Sequence, residues 1–212
     1  MTRGNEGRKK RGENSRHRSE LLGYYLIVTD AEETEKNYFT GLRDSLPSDV
    51  RPKIRLKIIS RVKTDKLVEV VENERAQIAQ YTDAWIVLDR DKVVPFDNII
   101  EQAEKRDIHV GWSNPCIELW FSAYFGEMPT FAGSPQCVSH FKKLFEQKTG
   151  TEYTKAIAEI YKKLNNNGDE NNAIRIAKTQ HKNMVNSCSK PSQMDSTTTL
   201  YILVEEIKKA SL

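Results

Sequence analysis

Apolar positions along the chain fall into short runs of two kinds that take turns. Tyr24-Tyr25-Leu26-Ile27-Val28-Thr29 is aromatic and β-branched and predicts a first strand, ending in Asp30. Ile54-Arg55-Leu56-Lys57-Ile58-Ile59-Ser60 alternates apolar and cationic residues before two isoleucines, as an edge or near-edge strand does. Ala84 to Asp89 holds the unbroken run Trp85-Ile86-Val87-Leu88, the pattern of a strand covered on both faces in a parallel sheet. Ile108-His109-Val110-Gly111-Trp112 predicts a fourth strand. Between them the spacing is helical. Tyr38, Phe39 and Leu42 follow a Thr34 cap, Leu67, Val70, Val71, Ala76, Ile78 and Ala79 follow a Thr64 cap up to about Tyr81, and Ile99, Ile100 and Ala103 follow Pro95 and Asp97. Parallel neighbours need crossover connections, so this alternation predicts an α/β fold with a mostly parallel four-stranded sheet and helices on both faces.

After the fourth strand, Asn114 as a cap and Pro115 at the first helical position predict a helix start, with Ile117, Trp120, Phe121 and Tyr124 as its packed stripe. Beyond Gly126 the pattern turns helical, through Val138, Phe141, Leu144 and Phe145, then Ile157, Ile160, Tyr161 and Leu164, then Ala173, Ile174, Ile176 and Ala177. Thr197 to Val204, running into Lys209, reads as a closing helix despite its β-branched start. Three segments result: a basic arm over 1–20 expected to be disordered, an α/β domain over 21–128, and a helical elaboration over 129–212.

Charge adds something only through its distribution. A net charge of +3 over 212 residues does not by itself imply nucleic-acid binding. Arg3, Arg8, Lys9, Lys10, Arg11, Arg16 and Arg18, however, stand among Gly, Asn and Ser with almost nothing apolar, which suits either a phosphate backbone or a solubilising tail. No apolar run approaches the ~20 residues of a membrane helix, and the arm lacks a signal-peptide core, so a cytoplasmic protein with no membrane partner is expected. Cys116, Cys137 and Cys188 form no paired metal-ligand spacing and read as reduced thiols. His109, His140 and His181 form none either, and no Gly-rich phosphate loop of the P-loop type is present.

The chemistry is carried by acids at strand ends. Asp89 and Asp91, at i and i+2 off the central strand, point the same way from an extended backbone and suit a hard cation such as Mg²⁺. The bland reading makes Asp89 a turn cap and leaves Asp91 solvated. In a parallel sheet the carboxyl ends of the strands share one edge, so Asp30 is expected near this pair, with Glu118, about one turn inside the helix opened by Asn114 and Pro115, facing the same crevice or simply favoured by its helix dipole. Glu35 is a further candidate. Arg90 is expected to point away, and Lys63 and Lys92 stand in adjoining loops, where solvated positions are the ordinary outcome.

Four of these stretches, in order, resemble the RloB-like family, whose members look like Toprim-type nucleases of bacterial defence and restriction loci. Tyr25 to Phe39 is similar to the family's first strand and its Glu-Gly-x-x-Thr-Glu-x-x-Tyr-Phe pattern. Trp85 to Asp91 resembles its Asp-x-Asp strand, Ser113-Asn114-Pro115-Cys116 with Glu118-Leu119-Trp120 its Ser-Asn-Pro helix start, and Thr198-Thr199 before Leu203-Val204 its closing helix. Where the family has Glu-Gly, this chain has Asp30-Ala31, one methylene shorter at the acid, a displacement of about 1.5 Å, and more restricted in its backbone. The resemblance implies a Toprim-like fold and metal-dependent cleavage of DNA or structured RNA such as tRNA, in antiviral defence. Asp30, Asp89, Asp91 and Glu118 would be the catalytic set, Asp30, Asp89 and Asp91 the ligands of Mg²⁺ or Mn²⁺, and an ATPase encoded nearby a partner; a homo-oligomer stays open. A catalytically weakened module that binds nucleic acid or a partner is the alternative that Asp30-Ala31 leaves open, and strand-end aspartates also suit phosphoryl transfer through an aspartyl phosphate.

Overall fold

Strand β1 (Gly23–Thr29), β2 (Ile54–Ile59), β3 (Asp83–Asp89) and β4 (His109–Asn114) run parallel in the computed structural model, and β5 (Thr197–Thr198) joins them antiparallel. The structure describes residues 23–209 except 79, 80, 82 and 92. The basic arm expected over 1–20 therefore lies outside the described residues, as does Lys92. Strand order is β2-β1-β3-β4-β5, which sets β2 at an edge and β3 in the middle, as their hydropathy predicts. The helices are α1 (Thr34–Ser45), α2 (Leu67–Gln77), α3 (Phe96–Glu104), α4 (Glu118–Tyr124), α5 (Ser134–Thr149), α6 (Ile160–Asn167), α7 (Glu170–Val185) and α8 (Leu200–Lys209).

Period-two alternation along each strand sorts side chains onto two cores. Leu26 and Val28 of β1, with Ala84, Ile86 and Leu88 of β3, pack against α2 and α3 through Leu67, Val71, Phe96, Ile99 and Ile100. Tyr25, Ile27, Trp85 and Val87 face the other way, onto α1, α4 and the C-terminal helices. That second core takes in Phe141, Tyr161, Ala173 and Leu203, so the expected boundary near 128 marks a change in element type and not a break in packing. Gly168 permits one of the tightest approaches there: a Cβ on it would stand 2.6 Å from the Tyr124 carbonyl oxygen.

Three expectations are corrected. The sheet has a fifth strand, because Thr197 and Thr198 pair with Asn114 and Ser113 and do not open the closing helix, which starts at Leu200. Thr198 Oγ1 lies 2.9 Å from Ser113 Oγ, and Thr199 Oγ1 accepts from the Trp112 N–H at 2.9 Å, so these hydroxyls tie the tail to β4. Asn114 ends β4 and caps nothing; its amide donates to the Met194 carbonyl at 3.1 Å, and the Asn114–Pro115 peptide is cis. Helix α4 accordingly starts at Glu118, so this acid is its first residue and not one turn inside.

Register positions the strand ends. Thr29 lies opposite Val87, which brings Asp30 within one residue of the level of Asp89 on the adjacent strand. Neighbouring strands are about 4.8 Å apart, so the two acids meet at one rim of the sheet.

Candidate functional site

At that rim a cavity of about 510 Å³ is lined by Asp30, Glu35, Asp89, Asp91, Glu118 and Lys155, among others. These acids come from three stretches of chain: the β1–α1 segment, the end of β3 and the start of α4. Asp30 follows β1, and its Oδ2 accepts a 2.9 Å hydrogen bond from the Thr64 hydroxyl. Its loop is braced from the β2–α2 connection, where the Arg61 N–H donates to the Ala31 carbonyl at 2.9 Å. Glu35 is the second residue of α1 and is 3% exposed. Asp89, at the end of β3, keeps partial solvent access and accepts a hydrogen bond from the Ile117 N–H. Glu118, 1% exposed, accepts from the Tyr153 hydroxyl at 3.0 Å through Oε1 and has Lys155 Nζ 3.9 Å from the same oxygen.

The second oxygens are different. Oε2 of Glu35 and Oε2 of Glu118 are buried without a hydrogen-bond partner. Burying a carboxylate oxygen unsatisfied is costly, and a protein ordinarily avoids it by supplying donors or by protonation. Burial, opposed in part by its own backbone N–H and aided by the charges of Glu118 and Asp30, pushes the Glu35 carboxyl up to about 8. Asp89 is raised well above the usual carboxylate range, first by burial and then by Glu35, Glu118 and Asp30. Burial also raises Asp30, against the lowering effect of its Thr64 bond. Glu35 and Asp89 are thus pushed up by burial and by neighbouring acids, and Asp30 by burial. Lys155 is the counter-charge: burial pulls its ammonium down, but Glu118, Asp89 and Glu35 together with Cys116 leave it above its ordinary value.

The sequence-predicted residues divide on this geometry. Asp30, Asp89 and Glu118 share the cavity with Glu35. Asp91 is exposed at its lip, where its N–H donates to the Pro115 carbonyl at 3.0 Å, so the Asp-x-Asp pair does not continue as an extended strand past Asp89. Arg90 turns away as expected, over the Phe96 ring at 5.9 Å, with Nη1 donating to the carbonyls of Asp91 and Val93. Lys63 is exposed and does not line the cavity. His109 stacks on Trp85 with ring centroids 4.9 Å apart, and His181 contacts Tyr201 and Trp112. Sequence reasoning missed Tyr153 and Lys155, which arrive on the loop between α5 and α6 with no motif around them.

Among the described residues no three His, Cys, Asp or Glu side chains already stand together as a metal cage. This does not disqualify the pocket for Mg²⁺, which keeps several waters and takes only one or two carboxylates directly. The donor set is all oxygen, and two buried oxygens lack a partner.

A model of the RloB-like protein family matches residues 25–207. The chain belongs to the RloB-like family. No curated protein and no solved structure matches it. In this RloB-like chain the family-resembling stretches converge: Glu35 and Asp89 line the cavity, Glu118 closes it, and Tyr38 and Phe39 pack at 0% exposure beneath α1. No helix among the described residues is long and apolar enough to cross a membrane.

Proposed function

We propose that this RloB-like chain is a metal-dependent nuclease acting on DNA or structured RNA, with a Toprim-like arrangement of acids, in bacterial antiviral defence. What carries the reading is the meeting of four carboxylates from three chain segments at the carboxyl edge of a parallel sheet, two of them with a buried oxygen left unpartnered. Asp89 and Asp30 would hold Mg²⁺ or Mn²⁺, with Glu35 and Glu118 within the same field. When bound, such an ion supplies charge neutralisation at a phosphoryl oxygen and a more acidic water.

The residues themselves set the proton balance. Glu35, with its carboxyl near 8, is suited to give or take a proton at neutral pH. Tyr153, whose hydroxyl is raised by burial first and by Glu118 next, stays a donor and fixes the Glu118 orientation. Thr64 does the same for Asp30. The shorter Asp30 is thereby held to the rim from the β2–α2 side, which is how a carboxylate one methylene short still serves the pocket.

The test is incubation of the purified chain with plasmid, single-stranded DNA and total tRNA, each with chelator, Mg²⁺ or Mn²⁺. Cleavage that needs the cation supports the reading. Full cleavage in excess chelator sinks it, and binding without cleavage under every condition favours a noncatalytic module.

A further inference from the structure

Lys155 is the one basic residue among the described residues lining the cavity. Its ammonium is 3.9 Å from Glu118 Oε1, too far for a hydrogen bond, and that oxygen is already taken by Tyr153. The side chain is 68% exposed, so its charge stands at the mouth and not on the floor. The loop that bears it is strapped down. Thr34 Oγ1 donates to the Lys155 carbonyl at 3.0 Å, and Asn37 Nδ2 reaches the carbonyls of Ala156 and Ile157 at 3.4 and 3.3 Å. Thr34 caps no helix: α1 begins without a side-chain cap, and the hydroxyl is used across the fold on a residue far along the chain.

We propose that Lys155 is the phosphate-gripping group of this pocket, and that Thr34 and Asn37 are positioning residues that hold its loop over the mouth for that task. The inference rests on the phosphodiester reading above and assigns part of the C-terminal half a role in it. A phosphodiester approaching four acids meets repulsion, and a mobile surface lysine would do little against it. A lysine whose backbone is rooted by Thr34, on a loop that Asn37 also holds, keeps its ammonium within reach of the mouth. Lysine is a compact point charge with rotatable donors, which suits one phosphate oxygen approached from varied directions. An ion pair serving stability alone would need neither the strap nor an exposed head.

The experiment is equilibrium binding of a labelled DNA duplex and a labelled structured RNA to the full chain in chelator, followed by anisotropy over a range of KCl. It compares wild type with Lys155→Met, Lys155→Arg and Thr34→Val. The expected result is a roughly five- to tenfold loss of affinity in Lys155→Met at 0.1 M salt, with the slope of log K against log salt shallower by about 0.9 on DNA or about 0.7 on single-stranded regions. Lys155→Arg restores the slope, and Thr34→Val weakens binding a few-fold with the slope kept. An unchanged slope in Lys155→Met, or failure of Lys155→Arg to restore it, overturns the assignment. If the slopes behave as expected but no form cleaves with Mg²⁺ or Mn²⁺, the nuclease reading alone falls. If wild type neither binds either nucleic acid in chelator nor cleaves it with Mg²⁺ or Mn²⁺, both fall. Whichever polymer shows the change identifies the phosphodiester that is gripped.

Discussion

Two regions of this molecule bury a glutamate in the first turn of a helix, and they treat it in opposite ways. Glu170, first residue of α7, is 6% exposed and is answered by hydrogen bonds at one oxygen and by an ion pair alone at the other. Its Oε1 accepts from the Tyr124 hydroxyl at 2.9 Å and the Tyr161 hydroxyl at 3.0 Å, and Lys208 pairs with Oε2. The network runs on through Tyr38 to Trp120 Nε1 at 2.9 Å. Glu118, first residue of α4, is as deeply buried but keeps one oxygen unpartnered and faces other acids. Residue type, helix position and burial are the same in both. What separates a structural acid from a site acid is the company it keeps: two tyrosine donors and a paired cation at Glu170, but one tyrosine, a lysine held off at 3.9 Å and other acids at Glu118. A buried polar network that is complete stabilises, whereas one left incomplete costs stability unless a ligand completes it.

The comparison is broken or sharpened by substitution. The largest effect is expected at Asp89, where Asn keeps the shape but removes the charge: metal-supported cleavage falls at least about 10³-fold, roughly 4 kcal/mol, with an unchanged melting temperature. Next comes Glu170→Ala, which removes the carboxylate acceptor of two buried tyrosine hydroxyls. Because Lys208 is 38% exposed and rehydrates, the loss is set at the low end for a broken buried pair, about 2–3 kcal/mol, and thermal melting should fall by about 5–10 °C. Catalysis per folded molecule should stay within a factor of about 3, because Glu170 lies outside the cavity.

Glu35→Gln should do the reverse. The native carboxyl is near 8 against an ordinary 4.5, so across that window the folded chain holds a proton that the unfolded chain has released. Wild-type stability therefore falls as pH rises between those values, and it is greatest below the lower one. Glu35→Gln should lessen that fall by roughly 2 kcal/mol, read from denaturant melts at pH 5 and 8.5, while cleavage drops. If Glu35→Gln is instead less stable at pH 8.5 than wild type, the pocket is not a site of like-charge repulsion. The smallest effect belongs to Asp91→Asn. Exposed at the lip, it should lower cleavage only about threefold, below 1 kcal/mol, and a loss as large as that of Asp89→Asn would return it to the centre of the site.

Much of the fold is legible in hydropathy. The runs ending at Asp30 and Asp89 announce β1 and β3, and the parallel arrangement then puts their acids on one edge. The two-residue β5 is not legible, because two residues have no period and Thr197-Thr198 is held by hydroxyl bonds to β4. Three polar residues read as helix caps act elsewhere: Thr34 holds the Lys155 loop, Thr64 holds Asp30, and Asn114 holds the Met194 carbonyl. A cap and a tertiary clamp use the same side-chain oxygen or amide, and local pattern cannot tell them apart. The same limit hides Lys155 and Tyr153, whose loop is held at the rim by contacts distant in sequence: Thr34 on the Lys155 carbonyl, and Glu118, Phe141 and Phe145 on Tyr153. Local pattern sets Glu118 a turn too deep, because β4 runs through Asn114 and the helix starts only at Glu118.

The most direct test of the account is calorimetric titration of the chain with Mn²⁺ at pH 7 in buffers of different ionisation enthalpy. Glu35, with its carboxyl near 8, holds a proton at pH 7 that an entering cation displaces, so the account predicts saturable binding with a buffer-dependent heat that disappears in Asp89→Asn. Absence of binding at millimolar Mn²⁺, or binding without proton release and unchanged in Asp89→Asn, would contradict it.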